Sequence, residues 1–396
     1  NGDDSNVLGL NLNLNDPTLT WRLRGFYAYS RIASRNIEMT NRDLKTGYKY
    51  FLQFSKTRGN FQFQVSRNFE TDDYDINDLG FQRRANRIEH RLETSWIQFQ
   101  PQGIFNDYRF RLTAEHNKIY NPNQFADWNT SFSFNYGLKN FWGGSFDVRA
   151  NPSESIDIFE ARTPGYIFKR PASYSYGFNL RTDGRKALRF FTRGRIWQRP
   201  DWNQRVVSGN ISARLRIGTR LELNHNIDVN NRENDRGYVT KLRNDDGSLS
   251  NVVIGVRDVR NLTNTLSSSY IFTNRMGLTF RLRHYWSRVE YSDFLEITES
   301  DELLDLDYTG IDPQSGDPLH DRNFNQFNID MEYNWQFKPG SEIRVIWKRS
   351  IGTDDLRTDL DFFQNFDNTI NAPNFDTITV RMVYFIDYLQ VRNLFK

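Results

Sequence analysis

The amino-acid sequence predicts an all-β protein, a large antiparallel up-and-down transmembrane β-barrel. Three observations lead there. Apolar and polar residues alternate with a period of two over long segments, while helical periodicity is nearly absent. Short and long connections take turns along the chain. Aromatic residues reach 15% in a chain whose mean hydropathy is only −0.73. A strand with one face in lipid and one in water averages to low hydropathy, and a disordered chain would be poor in aromatics.

The elements follow in order. Strands are expected near 5–15 and 18–32, where Leu19, Trp21, Leu23, Tyr27 and Tyr29 oppose Thr20, Arg22, Arg24 and Ala28. Two more lie near 46–57 and 59–70, the latter carrying Phe61, Phe63 and Val65 on alternate places. Segments 85–100 and 104–120 come next; in the second, Tyr108, Phe110, Leu112 and Ala114 oppose Arg109, Arg111, Thr113 and Glu115. Strands near 126–140, 142–152, 171–184 and 187–200 lead to 203–217 and 219–231. There Ile211, Ala213, Leu215 and Ile217 oppose Ser212, Arg214 and Arg216. The set closes with 262–275, 276–292, 325–338, 340–352 and 375–390, about 17 strands in all, and 235–258 reads as a hairpin rising above the rim. These segments are roughly 10–15 residues, where soluble sheets average ~5–6 and a tilted transmembrane strand needs ~9–11. A soluble sheet with one wet face gives the same alternation, but neither this length nor Arg and Glu in mid-strand.

Short connections rich in Gly, Pro, Asn and Asp fall at Asp16-Pro17, Arg58-Gly59-Asn60, Pro101-Gln102-Gly103, Asp183-Gly184-Arg185 and Lys338-Pro339-Gly340. Between them lie connections that are mostly longer and polar, at 33–45, 71–84, 121–125, 153–170, 201–203, 232–261, 293–324 and 353–374. In an up-and-down barrel this parity puts short turns at one rim and long loops at the other, as outer-membrane barrels do. Strand 5–15 runs into a short turn, so an upward strand should precede it. The sequence thus reads as one barrel domain, 1–396, lacking N-terminal strands and any preceding domain. Trp21, Tyr27, Tyr29, Trp96, Trp142, Trp286, Trp335, Trp347, Tyr384 and Tyr388 lie on or near strand ends, as an interfacial belt requires. The ending Leu394-Phe395-Lys396 is similar to a bacterial barrel's terminal insertion signal, except that Lys396 follows the last aromatic.

Composition excludes several functions. No apolar run is long enough for a membrane helix. The 52 Lys plus Arg nearly balance 49 Asp plus Glu, for a net charge of +3, which argues against nucleic acid as a partner. There is no cysteine, hence no disulfide, thiolate metal site or cysteine nucleophile. Asn1-Gly2-Asp3-Asp4 lacks the features of a signal peptide. No phosphate-binding glycine loop or nucleophile elbow is present.

Three stretches stand out: Tyr74-Asp75-Ile76-Asn77-Asp78-Leu79-Gly80-Phe81, Asn334-Trp335-Gln336-Phe337-Lys338-Pro339-Gly340-Ser341-Glu342 and Val383-Tyr384-Phe385-Ile386-Asp387-Tyr388-Leu389. They resemble a family of Bacteroidetes outer-membrane β-barrels of unknown function, in which a carbohydrate-binding family 9-like domain precedes the barrel. The resemblance implies that this chain is the C-terminal barrel portion. It supplies no functional residues.

Candidate sites are few. Asp73, Asp75 and Asn77 place oxygen ligands on alternate residues, as calcium loops do, but the sixth-position glycine and twelfth-position glutamate are missing. Beyond this calcium candidate no cofactor is expected. The polar faces carry Arg22, Arg24, Arg109, Arg111, Arg193, Arg195, Arg214, Arg216, Arg281, Arg283, Arg344 and Arg381, with Glu115, Glu222, Asp228 and Glu332 among them. Turned into a lumen, they would form either an anion-favouring pore or an internal salt-bridge lattice, the preferred reading. His116, His225 and His284 share parity with the apolar set, and His90 is expected to as well. His320, near Asp317 and Asp321, is the one water-facing histidine and the only basis for a hydrolase; the expectation is not an enzyme. The acidic loop from Asp293 to Asp307 reads as solvated, or as a cation-bridged contact to lipopolysaccharide or a partner. The leading functional expectation is an outer-membrane barrel of a Gram-negative bacterium that binds or passes a glycan or other nutrient. The alternative is a non-catalytic subunit of a larger outer-membrane assembly. Lipids, lipopolysaccharide, a glycan and other outer-membrane proteins are the expected partners.

Overall fold

The computed structural model describes residues 4–34, 43–77, 81–82 and 85–387. The chain is almost all β, with its long strands in one large antiparallel sheet that is not closed. The strands are β1 (Asp4–Asn15), β2 (Trp21–Ser34), β3 (Asp43–Lys56), β4 (Phe61–Glu70), β5 (Arg87–Gln98), β6 (Phe105–Ile119), β7 (Gln124–Leu138) and β8 (Gly143–Asn151). A small separate hairpin follows, β9 (Ser155–Asp157) with β10 (Phe168–Arg170). Then come β11 (Ser173–Arg181), β12 (Leu188–Arg199), β13 (Gln204–Ile217), β14 (Leu221–Arg243), β15 (Leu249–Thr273) and β16 (Met276–Ile297). The last are β17 (Leu303–Asp305), β18 (Arg322–Lys338), β19 (Ser341–Asp355), helix α1 (Phe362–Ile370) and β20 (Asn374–Val383). Each long strand expected from the alternation has its counterpart among them. The insertion-signal ending and the end of the strand drawn to 390 lie outside the described residues.

The chain divides into two compact units. One holds Asn1–Phe178, Trp197–Trp202 and Ile297–Glu302; the other holds Asn179–Ile196, Asn203–Glu296 and Leu303–Lys396. In the first, β1 to β8 form an antiparallel meander in sequence order. In the second, β13, β14 and β15 pair in order, as do β16, β18, β19 and β20. β14 and β15 run far past the expected strand ends. Their ladder continues to Arg243↔Leu249 through register shifts at Arg232/Asp235, Tyr238/Thr240 and Leu242/Arg243, which makes 235–258 the long hairpin its sequence suggested. Bulges let a long ribbon bend while keeping its bonds.

The faces of the first meander are inverted relative to a soluble sheet. Its apolar side chains are exposed: Leu52 50%, Val65 49%, Trp96 49% and Leu112 49%. The opposite face buries polar groups, including Ser55, Thr113 and Ser30. The register keeps this segregation intact, since directly opposed residues share a face. Phe61, Trp96, Phe110 and Phe134 form one continuous row across β4 to β7.

Two local structures differ from expectation. The segment 353–374, drawn as an irregular loop, contains helix α1. Asp361 caps it, accepting from the Gln364 amide at 2.9 Å while the Gln364 side chain accepts from the Asp361 amide. This reciprocal box plus Phe362 and Phe366 on one face is a legible helix signal that the dominant strand pattern obscured. The start of the 71–84 connection packs on β3 at Gly47, where a Cβ would overlap the Tyr74 backbone. Gly47→Val is therefore expected to lift residues 71–77 off the strand, at a cost of roughly 1–3 kcal/mol. Limited proteolysis should then cut near Tyr74, which is resistant in the parent; an unchanged digest would count against this packing.

In the turn between β11 and β12, Asp183 is held by Arg185. Bidentate contacts from the guanidinium at 2.8–3.2 Å and the Arg185 amide keep its carboxyl down at about 2.

Candidate ligand pocket and polar face

The polar face of β3 to β6 carries a connected ladder. Gln53 donates to Gln64 at 2.7 Å, and Gln64 donates to Glu93 at 3.4 Å. Glu93 also binds Arg91 at 3.0 Å and Arg111 at 3.2 Å, and Arg91 reaches on to Glu115 at 2.8 Å. Because Glu93 is 17% exposed, its carboxylate neutralises two guanidinium groups where water screens weakly. Glu93→Gln keeps the shape but leaves two cations sharing one fewer anion. It is expected to cost about 1–3 kcal/mol in a denaturant titration; a change under ~0.5 kcal/mol would show the ladder to be decorative.

Beyond the ladder, where β6 ends and β7 begins, the polar face opens into a cavity of about 800 Å³. Asn117 and Asp127 face each other in register, and the Asn117 amide donates to Asp127 at 2.7 Å; Asn129 donates to the same carboxylate. The Asn117 carbonyl oxygen is buried without a partner. Across the cavity, the β9–β10 hairpin presents Arg170, which binds Asp157 at 2.9 Å and Glu160 at 2.8 Å while lying over the Phe168 ring. Lys49 and the nearly buried Glu70, 2.6 Å apart, line another side. Phe81 and Phe159 are the aromatic lining. A clasp fixes one edge: Asn86 and Asn121 each donate to the other at 2.7 Å. Amides, paired charges and two rings suit a polar ligand with many hydroxyls rather than an apolar one. Sequence reading missed this pocket because its residues come from eight strands and two connections with no shared spacing.

The twelve candidate arginines alternate with apolar residues along their strands. Ion pairs among them join Arg111 to Glu93, Arg193 to Asp228 at 3.3 Å, Arg281 to Asp330 at 2.6 Å, and Arg344 to Glu332 at 3.3 Å. Arg22 donates to Asn15 at 3.0 Å. Arg214 and Arg216 donate to the backbone carbonyls of Gly184, Arg185 and Lys186, tying a turn to β13. Arg381 stands directly opposite Arg344. The candidate calcium ligands have partners within the protein. Asp73 lies 3.7 Å from Lys45, and Asp75 accepts from the Asn77 backbone at 2.9 Å and its side chain at 2.7 Å. The Asn77 carbonyl accepts from the Gln82 amide at 2.8 Å. No group of three His, Asp or Glu side chains is placed to hold a metal among the described residues.

His90 and His116 stand opposite each other in register, on the apolar face that their parity implied. His320 sits in an aromatic box of Tyr291, Phe294 and Tyr308, hydrogen-bonded to the Tyr308 hydroxyl at 2.8 Å. Burial lowers its pKa, opposed by the weaker pull of Asp321. Since the folded pKa is depressed, the neutral ring contributes stability above the ordinary value near 6.5, and that contribution is lost as pH falls through the folded value. Hydrogen-exchange protection in 303–321, corrected for the intrinsic pH dependence of exchange, is therefore expected to fall as pH drops from 7.5 to 5, and His320→Phe should flatten that dependence. An identical pH response in the variant would refute the assignment.

The fold and these sites define an all-β chain of inverted, amphipathic sheet with a polar pocket at the long-connection end. The chain belongs to the family described as a domain of unknown function, DUF5916, which matches residues 1–395. No curated protein matches it.

Proposed function

We propose that this chain forms the wall of an outer-membrane β-barrel whose loop-end pocket binds a glycan or a comparable hydroxyl-rich nutrient at the cell surface. The observation that carries the membrane part is the inverted sheet: apolar side chains about half exposed on one face, charged side chains paired on the other. In water that arrangement leaves a large apolar surface uncovered; in a bilayer it is satisfied on both sides. Two aromatic rows support it. The Tyr108↔Tyr136 pair and the His116↔Trp128 pair bound an apolar band of nine residues on β6, about 27 Å at ~3.4 Å per residue. A tilted transmembrane strand needs this length. Closure into a barrel, the Gram-negative and Bacteroidetes setting and a sugar-binding domain upstream belong to this reading.

The pocket supports a glycan. Its unpartnered Asn117 oxygen awaits a hydroxyl donor, and Phe81 and Phe159 offer faces for a sugar ring. The test is titration of the detergent-solubilised natural protein with neutral and acidic oligosaccharides by calorimetry. A binder is expected whose affinity falls about tenfold in Asn117→Ala, the equivalent of ~1.4 kcal/mol. Binding unchanged by that substitution, or no binding across the panel, would overturn the pocket assignment.

A second reading, a structural subunit of a larger outer-membrane assembly, has its own observation. Every residue of β20 and all but one of β1 are exposed, which suits strands covered by further protein. Gentle-detergent affinity purification from the native membrane separates the two: stoichiometric partners favour the subunit, isolation alone the autonomous binder.

A further inference from the structure

The outward face of the first unit carries a built site at the edge of its apolar band. In register across four strands, Arg67 of β4 stands opposite His90 of β5, which stands opposite His116 of β6, which stands opposite Trp128 of β7. The next row toward the middle of the band is apolar: Val65, Leu92 and Ala114. Together with Leu52 these residues line a groove of about 430 Å³, with the basic row at one end. Arg67 has no carboxylate partner among the described residues. Its guanidinium lies over the Tyr50 and Phe69 rings, 5.7 and 6.0 Å from their centroids, which steadies it without consuming its donors. The two histidine rings are stacked, their Nδ1 atoms 3.4 Å apart, so at most one can donate to the other. A cation with free N–H groups, imidazoles and an indole at the end of an apolar channel match one ligand chemistry, an acidic headgroup carried on acyl chains. An isolated arginine on a lipid-facing wall is costly unless an anion meets it.

We infer that Arg67, His90 and His116 form a binding site for the phosphate of a membrane lipid, with the groove below them seating one of its acyl chains. The inference rests on the membrane reading above and gives it a specific lipid contact. The row lies at the long-connection end of its strands, the end that faces outward in such barrels, so the lipid belongs to the outer leaflet.

The experiment uses the natural protein reconstituted in nanodiscs of phosphatidylglycerol or of phosphatidylcholine, then released into detergent for native mass spectrometry. One phosphatidylglycerol should stay bound, at least about tenfold more than phosphatidylcholine. Arg67→Gln combined with His90→Gln should abolish that preference, Arg67→Lys should retain much of it, and Arg109→Gln on the other face should not change it. Equal retention of both lipids, or full retention in the double variant, overturns the site. Displacement of the bound lipid by millimolar inorganic phosphate alone also overturns it, because the site would then select a free anion. Failure of the parent protein to enter any nanodisc is a different result: it overturns the membrane reading itself.

Discussion

Asn365→Leu is expected to detach helix α1 from the sheet. Asn365 is 1% exposed and is the only polar anchor between the helix and the two fully buried asparagines of β18 among the described residues. Its carbonyl accepts from Asn323 and Asn325, each at 3.0 Å, and its amide donates to Asn325 at 2.6 Å. Leucine fills a similar volume but returns none of these bonds. Asn323 keeps its contacts to Asp355 at 3.0 Å and from the Trp286 indole at 2.8 Å. Asn325 is left with His284 alone, at 3.4 Å. A buried polar group without a partner costs about 1–3 kcal/mol, and here an amide donor and much of a carbonyl are stranded together, so about 2–4 kcal/mol is expected. The apolar contacts of Phe362 and Phe366 with His284, Phe327 and Trp286 cannot hold the helix at full strength against that loss. Hydrogen exchange of the α1 amides reads this directly. Protection should fall in the variant while the β18–β19 ladder stays protected; unchanged α1 protection would mean that the aromatic contacts alone suffice.

This anchor also shows where sequence reading stops. The alternation in β6 was legible because Tyr108 to Glu115 obey one rule, apolar to one side and polar to the other. Asn323 and Asn325 break it: they share the parity of the apolar residues of β18, and helix α1 packed on them explains polar residues there. His284 likewise shares the apolar parity of its strand yet is buried, under Phe362 and Phe366. The turn chemistry at Asp183-Gly184-Arg185 was readable from three residues, since Asp183 and Arg185 bind within the turn itself. The ligand pocket was not, because Asn117, Asp127 and Arg170 meet only through strand register and a hairpin fold that leave no mark on local spacing. Period alone says which arginines alternate with apolar neighbours, but it cannot name their partners. Arg111 meets Glu93 and Arg281 meets Asp330, each on a different strand, which one strand's pattern cannot foretell.

Leu112→Arg separates a lipid-facing wall from a soluble sheet by the sign of its effect. Leu112 lies midway between the Tyr108 and His116 rows of β6, 49% exposed, with Thr94 opposite on one side and Phe132 on the other. If water covers this face, arginine replaces an exposed apolar side chain, the stability change stays within about 0.5 kcal/mol, and solubility improves. If hydrocarbon covers it, the guanidinium must be desolvated or drag water and headgroups inward, at about 2–4 kcal/mol near the midplane and ~0–1 near the interface. The same charge introduced as His116→Arg, in the row already occupied by Arg67, should therefore cost about 1 kcal/mol or less. Urea unfolding from lipid vesicles, followed by Trp fluorescence, measures both variants against the parent. A steep penalty at Leu112 and a small one at His116 is the depth profile of a membrane. Equal tolerance at the two positions would instead return the exposed apolar face to water, and the basic row of β4 to β6 would then lose its reason to sit where the apolar band ends.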